Sequence, residues 1–270
     1  MNSDFPQWNV RQTEILTMLR KDGRVEVEAL ASYFKVTLQT IRRDLNELGD
    51  AKQVVRIHGG AMVASGVANI SYEARQHVAH DLKQLIGETT ATLIPNDASL
   101  FINIGTTTEE VAKALSHHSG LLVITNNLHV ATELHQNKSL EVIVTGGSIR
   151  RSDGGILGAT TVSQIEQFHV DIAIIGTSAI DSNGTLLDFD IREVEVSRAI
   201  IKHARKIILV SDSSKFQRSA PVRIGHLSEI DIFVTDNFIS AELAQVCESC
   251  DVSIIKAIGV SEGELESNIN

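Results

Sequence analysis

The chain has 270 residues, 43% of them apolar, and a formal net charge of −10. That composition is too apolar for a disordered chain, and no apolar run approaches the roughly 18–20 residues of a membrane span. Two cysteines, three prolines and eleven aromatic residues exclude a disulfide scaffold, a collagen-like chain and a Pro-rich linker protein.

The first thirty residues carry Asp4, Arg11, Glu14, Arg20 and Lys21 with no unbroken apolar stretch, so no signal peptide is expected and the expected compartment is the cytoplasm. Charge is unevenly spread. Residues 1–65 hold nine Lys/Arg against eight Asp/Glu, and the rest hold fifteen against twenty-six. The acidic remainder argues against coating nucleic acid non-specifically, but it leaves room for a small reading head.

In chain order, Gln12 to Leu19 has apolar residues at helical spacing and is stopped by Asp22-Gly23. Val25 and Val27 alternate with charged residues as a short strand. Glu28 to Phe34 reads as a second helix, and Lys35-Val36 as a tight turn. Thr37 is placed to cap a third helix, Leu38 to Leu48. Ile41, Leu45 and Leu48 form its buried stripe. Its other face carries Gln39, Thr40, Arg42, Arg43 and Asn46, side chains that bond phosphates and base edges. Helix, tight turn and an Arg-bearing second helix describe a helix-turn-helix. Val54 to Ile57, the turn His58-Gly59-Gly60 and Ala61 to Val63 then read as a β-wing, with Arg56 and His58 turned toward nucleic acid. A three-helix bundle with a solvated Arg pair is the competing structural reading.

Ala64 to Ala68 is small and polar, as a linker is. Tyr72 to Leu93 reads as one connecting helix, broken by Ile94-Pro95-Asn96-Asp97. His77 and His80 on it lack the further ligands of a metal site, and no metal or cofactor is expected. Beyond Ser99 the chain alternates. Strands are expected at Leu100–Ile104, Leu121–Ile124, Leu140–Val144, Val170–Ile175, Lys206–Val210, Ile230–Val234 and Val252–Ile255. Helices are expected at Glu109–Leu115, Val130–His135, Val194–Ala204 and Ala241–Cys247. Apolar strands separated by helices make a largely parallel α/β sheet. The polar, acidic stretch Gly259 to Asn270 reads as a disordered tail.

Ligands of open α/β sheets bind beyond the carboxyl ends of the strands. Here five such ends carry small, hydroxyl, amide or cationic groups: Gly105-Thr106-Thr107-Thr108, Thr125-Asn126-Asn127, Thr145-Gly146-Gly147 with Arg150, Gly176-Thr177-Ser178, and Ser211 to Lys215. Glycine and hydroxyls opening a helix make an anion cradle. That set suits a small polar anion such as a phosphorylated sugar. Gly105, Thr106, Thr107, Thr108, Gly146 and Gly147 are expected to hold the ligand, Arg150 and Lys215 to neutralise its phosphate, and Asn103, Asp190 and Glu193 to bond its hydroxyls. The motifs of dinucleotide, P-loop, serine-hydrolase and zinc-protease sites are absent. Cys247-Glu-Ser-Cys250 ends a helix rather than opening one, so it reads as an ordinary pair.

Two sets of residues carry a resemblance. Thr37-Leu-Gln-Thr-Ile-Arg-Arg-Asp-Leu45 followed by Arg56-Ile-His-Gly-Gly60 resembles the winged helix-turn-helix signature of the DeoR family of bacterial repressors, with Thr37 where the family usually has Ser. Phe101 to Thr107, Thr125 to Leu128, Thr145 to Gly147 with Arg150, Asp171 to Gly176 and Asp212 to Phe216 are similar to that family's sensor domain, with Asn103 where the family often has Asp.

The resemblance implies a winged helix-turn-helix over 1–63, a linker and connecting helix over 64–95, an α/β sensor domain similar to the ribose-5-phosphate isomerase fold over 96–258, and a tail over 259–270. It implies a non-enzymatic, homodimeric or homotetrameric repressor of a carbohydrate or glycerol regulon. Its partners would be operator DNA and a phosphorylated sugar or polyol. Asp153 to Gly158 and Leu187 to Asp190 most resemble the family members that answer to glycerol 3-phosphate. A phosphosugar isomerase carrying a regulatory head is the alternative, and it needs a carboxylate base such as Asp190 or Glu193.

Overall fold

A computed structural model describes residues 8–22, 24–50, 53–57, 59–63, 72–236 and 240–258. His58, the linker 64–71 and the tail 259–270 lie outside the described residues. The chain divides into two compact units, Met1–Val78 and Ala79–Asn270. No described helix is long and apolar enough to cross a membrane.

The first unit contains α1 (Val10–Asp22), β1 (Arg24–Glu26), α2 (Val27–Phe34), α3 (Leu38–Asp50), β2 (Val54–Ile57), β3 (Gly60–Val63) and α4 (Tyr72–His77). The apolar stripes read from the sequence meet in one core: Ile15 and Leu19 of α1, Leu30 of α2, and Ile41, Leu45 and Leu48 of α3 are almost wholly buried. β3 lies between β1 and β2, antiparallel to both, which forms the wing.

The second unit begins with α5 (His80–Ala91), β4 (Ser99–Ile102), α6 (Thr106–Ala114), β5 (Leu122–Thr125), α7 (Leu128–Leu134) and β6 (Glu141–Val144). A hairpin of β7 (Ser148–Ile149) and β8 (Ile156–Leu157) follows, then α8 (Ala159–Ile165), β9 (Val170–Ile175), β10 (Ala179–Ile180), β11 (Thr185–Asp188) and α9 (Ile191–Lys202). The chain finishes with β12 (Ala204–Val210), β13 (Val222–His226), β14 (Ile232–Thr235), α10 (Ala241–Ser249) and β15 (Ser253–Lys256).

Seven strands form one sheet in the order β15-β14-β12-β9-β4-β5-β6, and every neighbouring pair is parallel. The central strands are buried on both faces, between a core that includes Phe101, Ile175, Leu209 and Phe233 and one that includes Leu100, Ile102, Ile174 and Val234. All the carboxyl ends therefore lie along one rim.

Three differences from the sequence reading follow from local chemistry. The single helix expected over Tyr72–Leu93 is two, because Ala79 takes a left-handed φ of 54° and interrupts the ladder between α4 and α5. His77 and His80 thus sit on separate helices. The helix expected from Glu109 opens at Thr106, because the hydroxyl run that reads as loop is its buried first turn. The third sheet, β10-β11-β13, and the β7–β8 hairpin were unassigned, since strands of two to five residues carry little periodicity.

Candidate functional site

The first candidate surface is the outer face of α3. Lys35 closes α2 in the left-handed region, with φ 54° and ψ 44°, and this sets the turn between α2 and α3. Thr37 caps α3: its Oγ1 accepts the Thr40 N–H at 3.2 Å and lies 2.9 Å from Thr40 Oγ1. With Ile41, Asp44, Leu45 and Leu48 turned inward, Gln39, Arg42, Arg43 and Asn46 are exposed and Thr40 is partly covered.

Asp44 is the buried charge of this helix. Arg11 of α1 grips it through two bonds, Nε to Oδ2 at 2.5 Å and Nη2 to Oδ1 at 3.1 Å. The bond to Asp44 raises the Arg11 pKa above its ordinary value. Gln12 Nε2 donates to Glu47 Oε2 at 2.6 Å, and Arg43 Nε donates to Glu47 Oε1 at 3.0 Å. The exposed guanidinium of Arg43 is a surface pair of little energetic weight, so it is cheap to redirect.

Arg56 stands differently. Its Nη1 donates to Asn46 Oδ1 and to the Arg42 carbonyl, and its Nε donates to the Gly60 carbonyl at 3.3 Å. It joins the wing to α3.

The second candidate site is the rim of the seven-stranded sheet. Gly105 precedes α6 at φ 150° and ψ 146°, a conformation that favours glycine. No side chain caps α6. The Gly105 carbonyl accepts from Glu109 N–H, so the amides of Thr106, Thr107 and Thr108 have no partner within the helix. Thr108 Oγ1 is spent on the Asn103 and Gly105 carbonyls, at 2.7 and 2.8 Å, and this fixes the loop. An uncapped, buried helix amino terminus with a favourable dipole is an anion site.

Two buried lysines belong to the same unit. Lys83 of α5 is 1% exposed and Lys215 is 8% exposed, and both bear on the fully buried Asp212. Burial works against the Asp212 charge, but attraction from Lys215 and then Lys83 more than offsets it, so its pKa is lowered. Asp212 Oδ1 accepts the Ser214 N–H at 3.0 Å. Asp212 Oδ2, Ser214 Oγ and Asn126 Oδ1 are buried on this rim without a hydrogen-bond partner. Such atoms are costly to leave unsatisfied, and they stand at two places on the rim, after β12 and after β5.

Around Arg150 the charge is reversed. Its Nε and Nη2 donate to Asp153 at 2.8 and 2.6 Å, Nη2 donates to Glu193 at 2.7 Å, and Nη1 reaches Asp190 at 3.3 Å. Burial opposes the charge of Arg150, yet Asp153 and Glu193 outweigh it and raise its pKa further. Asp190 also caps α9, accepting Arg192 N–H at 3.0 Å, and the bonds from Arg192 lead the causes that lower its pKa.

The structure therefore brings Arg150, Asp190 and Glu193 together as one ion cluster. Asn103 is engaged as well: its Nδ2 donates to Ser197 Oγ and its Oδ1 accepts Ile104 N–H, both at 2.8 Å. Gly146 donates to Gln164 Oε1 at 2.5 Å. Gly147, at φ 151°, is held where a Cβ would stand 2.3 Å from Thr161 Oγ1 and 2.8 Å from the Leu157 carbonyl.

Sequence reasoning passed over Lys83 and gave no site role to Asp153 or Asp212. A lysine one turn into an amphipathic helix reads as solvated, and only the loop after β12 shows what buries it. Asp153 was visible as a motif residue, but its grip on Arg150 was not.

The comparisons agree on both units. The DeoR-like helix-turn-helix domain model matches residues 11–67, and the DeoR C terminal sensor domain model matches residues 78–237. The Glycerol-3-phosphate regulon repressor of Escherichia coli (strain K12) is 44% identical over 226 residues, which is 84% of this chain and 90% of that one. The protein of the same name in Haemophilus influenzae is 46% identical over 227 residues, 84% of this chain and 89% of that one. Among solved structures, a D-ribose-5-phosphate isomerase in complex with phospho-erythronic acid aligns with a TM-score of 0.38 and 15% identity, covering 51% of this chain and 54% of that one.

Proposed function

Because the chain belongs to the DeoR family, we propose that it is a transcriptional repressor of a glycerol catabolism regulon, released from operator DNA by glycerol 3-phosphate. The uncapped, buried amino terminus of α6 carries the effector half of this reading, with Lys83 and Lys215, which bear on Asp212 after β12, as the buried cations of the same unit. It supplies amides and a dipole to one small anion. A phosphate there would meet the Thr106, Thr107 and Thr108 amides and Lys215, with Gly105 permitting the approach. Asp190, Glu193 and Arg150 form a net-acidic group suited to hydroxyls rather than to a second anion. Gly146 and Gly147 shape the wall beside them, and Asn103 braces the loop below.

In the reading head, Arg42 and Arg43 contact phosphates or base edges, and Gln39, Thr40 and Asn46 are the base readers. Thr37 and Arg56 position α3. A homodimer or homotetramer would place paired helices in successive major grooves. The effector acts by binding the DNA-competent and DNA-incompetent states with different affinity, since only that difference shifts occupancy. The relatives named above are repressors, and the chain is a regulator rather than an enzyme.

The test is binding of purified full-length protein to promoter duplexes at a stated salt concentration, with a panel of sugar and polyol phosphates. Specific binding released by glycerol 3-phosphate alone, with the ligand recovered unchanged, is the expected result. Release only by a hexose or pentose phosphate would keep the switch and replace the effector. Turnover of a phosphosugar would restore the isomerase alternative.

A further inference from the structure

Leu38 stands apart from the other apolar residues of α3. Ile41, Leu45 and Leu48 are wholly buried, whereas Leu38 keeps 41% of its surface exposed. It is the first residue of the helix, directly after the Thr37 cap. Helical residues advance about 100° each, so Leu38 lies at the flank of the buried stripe, one turn before exposed Arg42 and beside exposed Gln39. The polar face thus has one apolar edge, at the tip of the helix. Among the described residues of α3, no other large apolar side chain is exposed.

A surface that met phosphates alone would gain nothing from a leucine there. Helix-turn-helix proteins set the first residues of the second helix against base edges. One base edge in the major groove carries an apolar group, the thymine 5-methyl. We propose that Leu38 is a specificity-determining residue that reads a thymine by contact with its methyl group. The inference rests on α3 being the DNA-reading helix. It adds a base preference that the polar residues of the helix do not supply.

In the experiment, full-length protein selects an operator from a random-sequence duplex pool. Each thymine of that operator is then replaced by uracil, which removes only the methyl group. The wild type is expected to lose about fourfold in affinity per half-site at one thymine, the worth of one buried methyl. Leu38→Ala should lose about as much on the intact operator and bind thymine and uracil equally at that position, with other positions unchanged. Leu38→Met, which stays apolar and long, should keep the thymine preference. Because the residue is exposed, both variants should melt like the wild type.

The proposal is overturned if Leu38→Ala keeps the wild-type thymine profile, or if no uracil substitution costs the wild type anything. An unchanged profile together with altered sedimentation would assign the leucine to a contact between copies of the chain instead. If the wild type selects no operator at all, the DNA-reading role itself fails and takes the proposal with it. A selected operator without methyl dependence sinks the Leu38 assignment alone.

Discussion

Arg56 Nη1 donates to Asn46 Oδ1 at 2.5 Å, so a residue of the wing is bonded to a residue of the reading helix. Two side chains that read separately as DNA contacts are tied by one hydrogen bond, through which Arg56 orients the Asn46 amide. The same arginine holds the Arg42 carbonyl at 3.1 Å, one turn earlier on the helix. Arg43, in contrast, is 82% exposed and bonded to Glu47 in a surface pair that is cheap to exchange for a phosphate.

This separates two kinds of arginine by salt dependence. Neutralising one phosphate contributes about 0.9 to the slope of log affinity against log salt. Arg43→Ala is expected to lower the slope by about that much per protomer. Arg56→Ala should weaken operator binding with the slope nearly unchanged, because it loosens the wing from α3 without removing a phosphate contact. Binding titrations from low to high salt check both.

Gly105→Ala addresses the effector alone. A Cβ at φ 150° strains the backbone before α6 by about 1–3 kcal/mol, and relaxing that strain turns the Thr106 to Thr108 amides away from an anion, so that the strain must be restored on binding. The concentration of glycerol 3-phosphate needed to release the operator should rise about tenfold, while operator affinity without effector stays as in the wild type. Parallel titrations of the two proteins decide it.

Arg150 balances three carboxylates within 3.3 Å. Arg150→Met leaves Asp153, Asp190 and Glu193 facing one another with no cation between them. The sensor unit should lose about 3 kcal/mol in denaturant unfolding. Adding Asp153→Asn should recover part of the loss. If Arg150→Met proved as stable as the wild type, the cluster would not hold the hairpin to α9.

Asp212 gives a pH signature. Its pKa in the folded protein lies below the 3.8 of a free aspartate. The stability it contributes is therefore complete above pH 3.8 and is lost as pH falls through the lower folded value. Wild type should melt well above Asp212→Asn at pH 7, and the gap should narrow below pH 3.8. Melting curves of both proteins across that range test the sign.

Much of the architecture is legible in the residues. The stripe Ile41, Leu45, Leu48 announces its own helix, and short apolar runs such as Val170 to Ile175, alternating with helical segments, read as strands of a covered sheet. Elements shorter than one period stay hidden. β7 and β8 have two residues each, and what defines them is the pairing of Ser148 with Leu157 and Ile149 with Ile156, closed by the bond from Arg150 N–H to the Gly155 carbonyl. The break at Ala79 leaves no trace, because neither glycine nor proline marks it.

The site was legible in its loops and illegible in its pairings. Gly105 to Thr108 follows a strand and opens a helix, which is a local pattern. That Lys83 is buried is set by Asp212, far along the chain. That Arg150 faces carboxylates rather than an open pocket is set by α9, some forty residues on.

The common direction of the seven strands has a consequence for how such a protein diversifies. Each loop on the rim hangs from a strand whose own residues are fixed by the sheet, and the loops come from segments far apart in sequence. A change of side chain at one strand end leaves the other ends in place. The scaffold can exchange one small anion for another in single steps, while the operator-reading unit, built from residues 1–78, keeps its own separate alphabet.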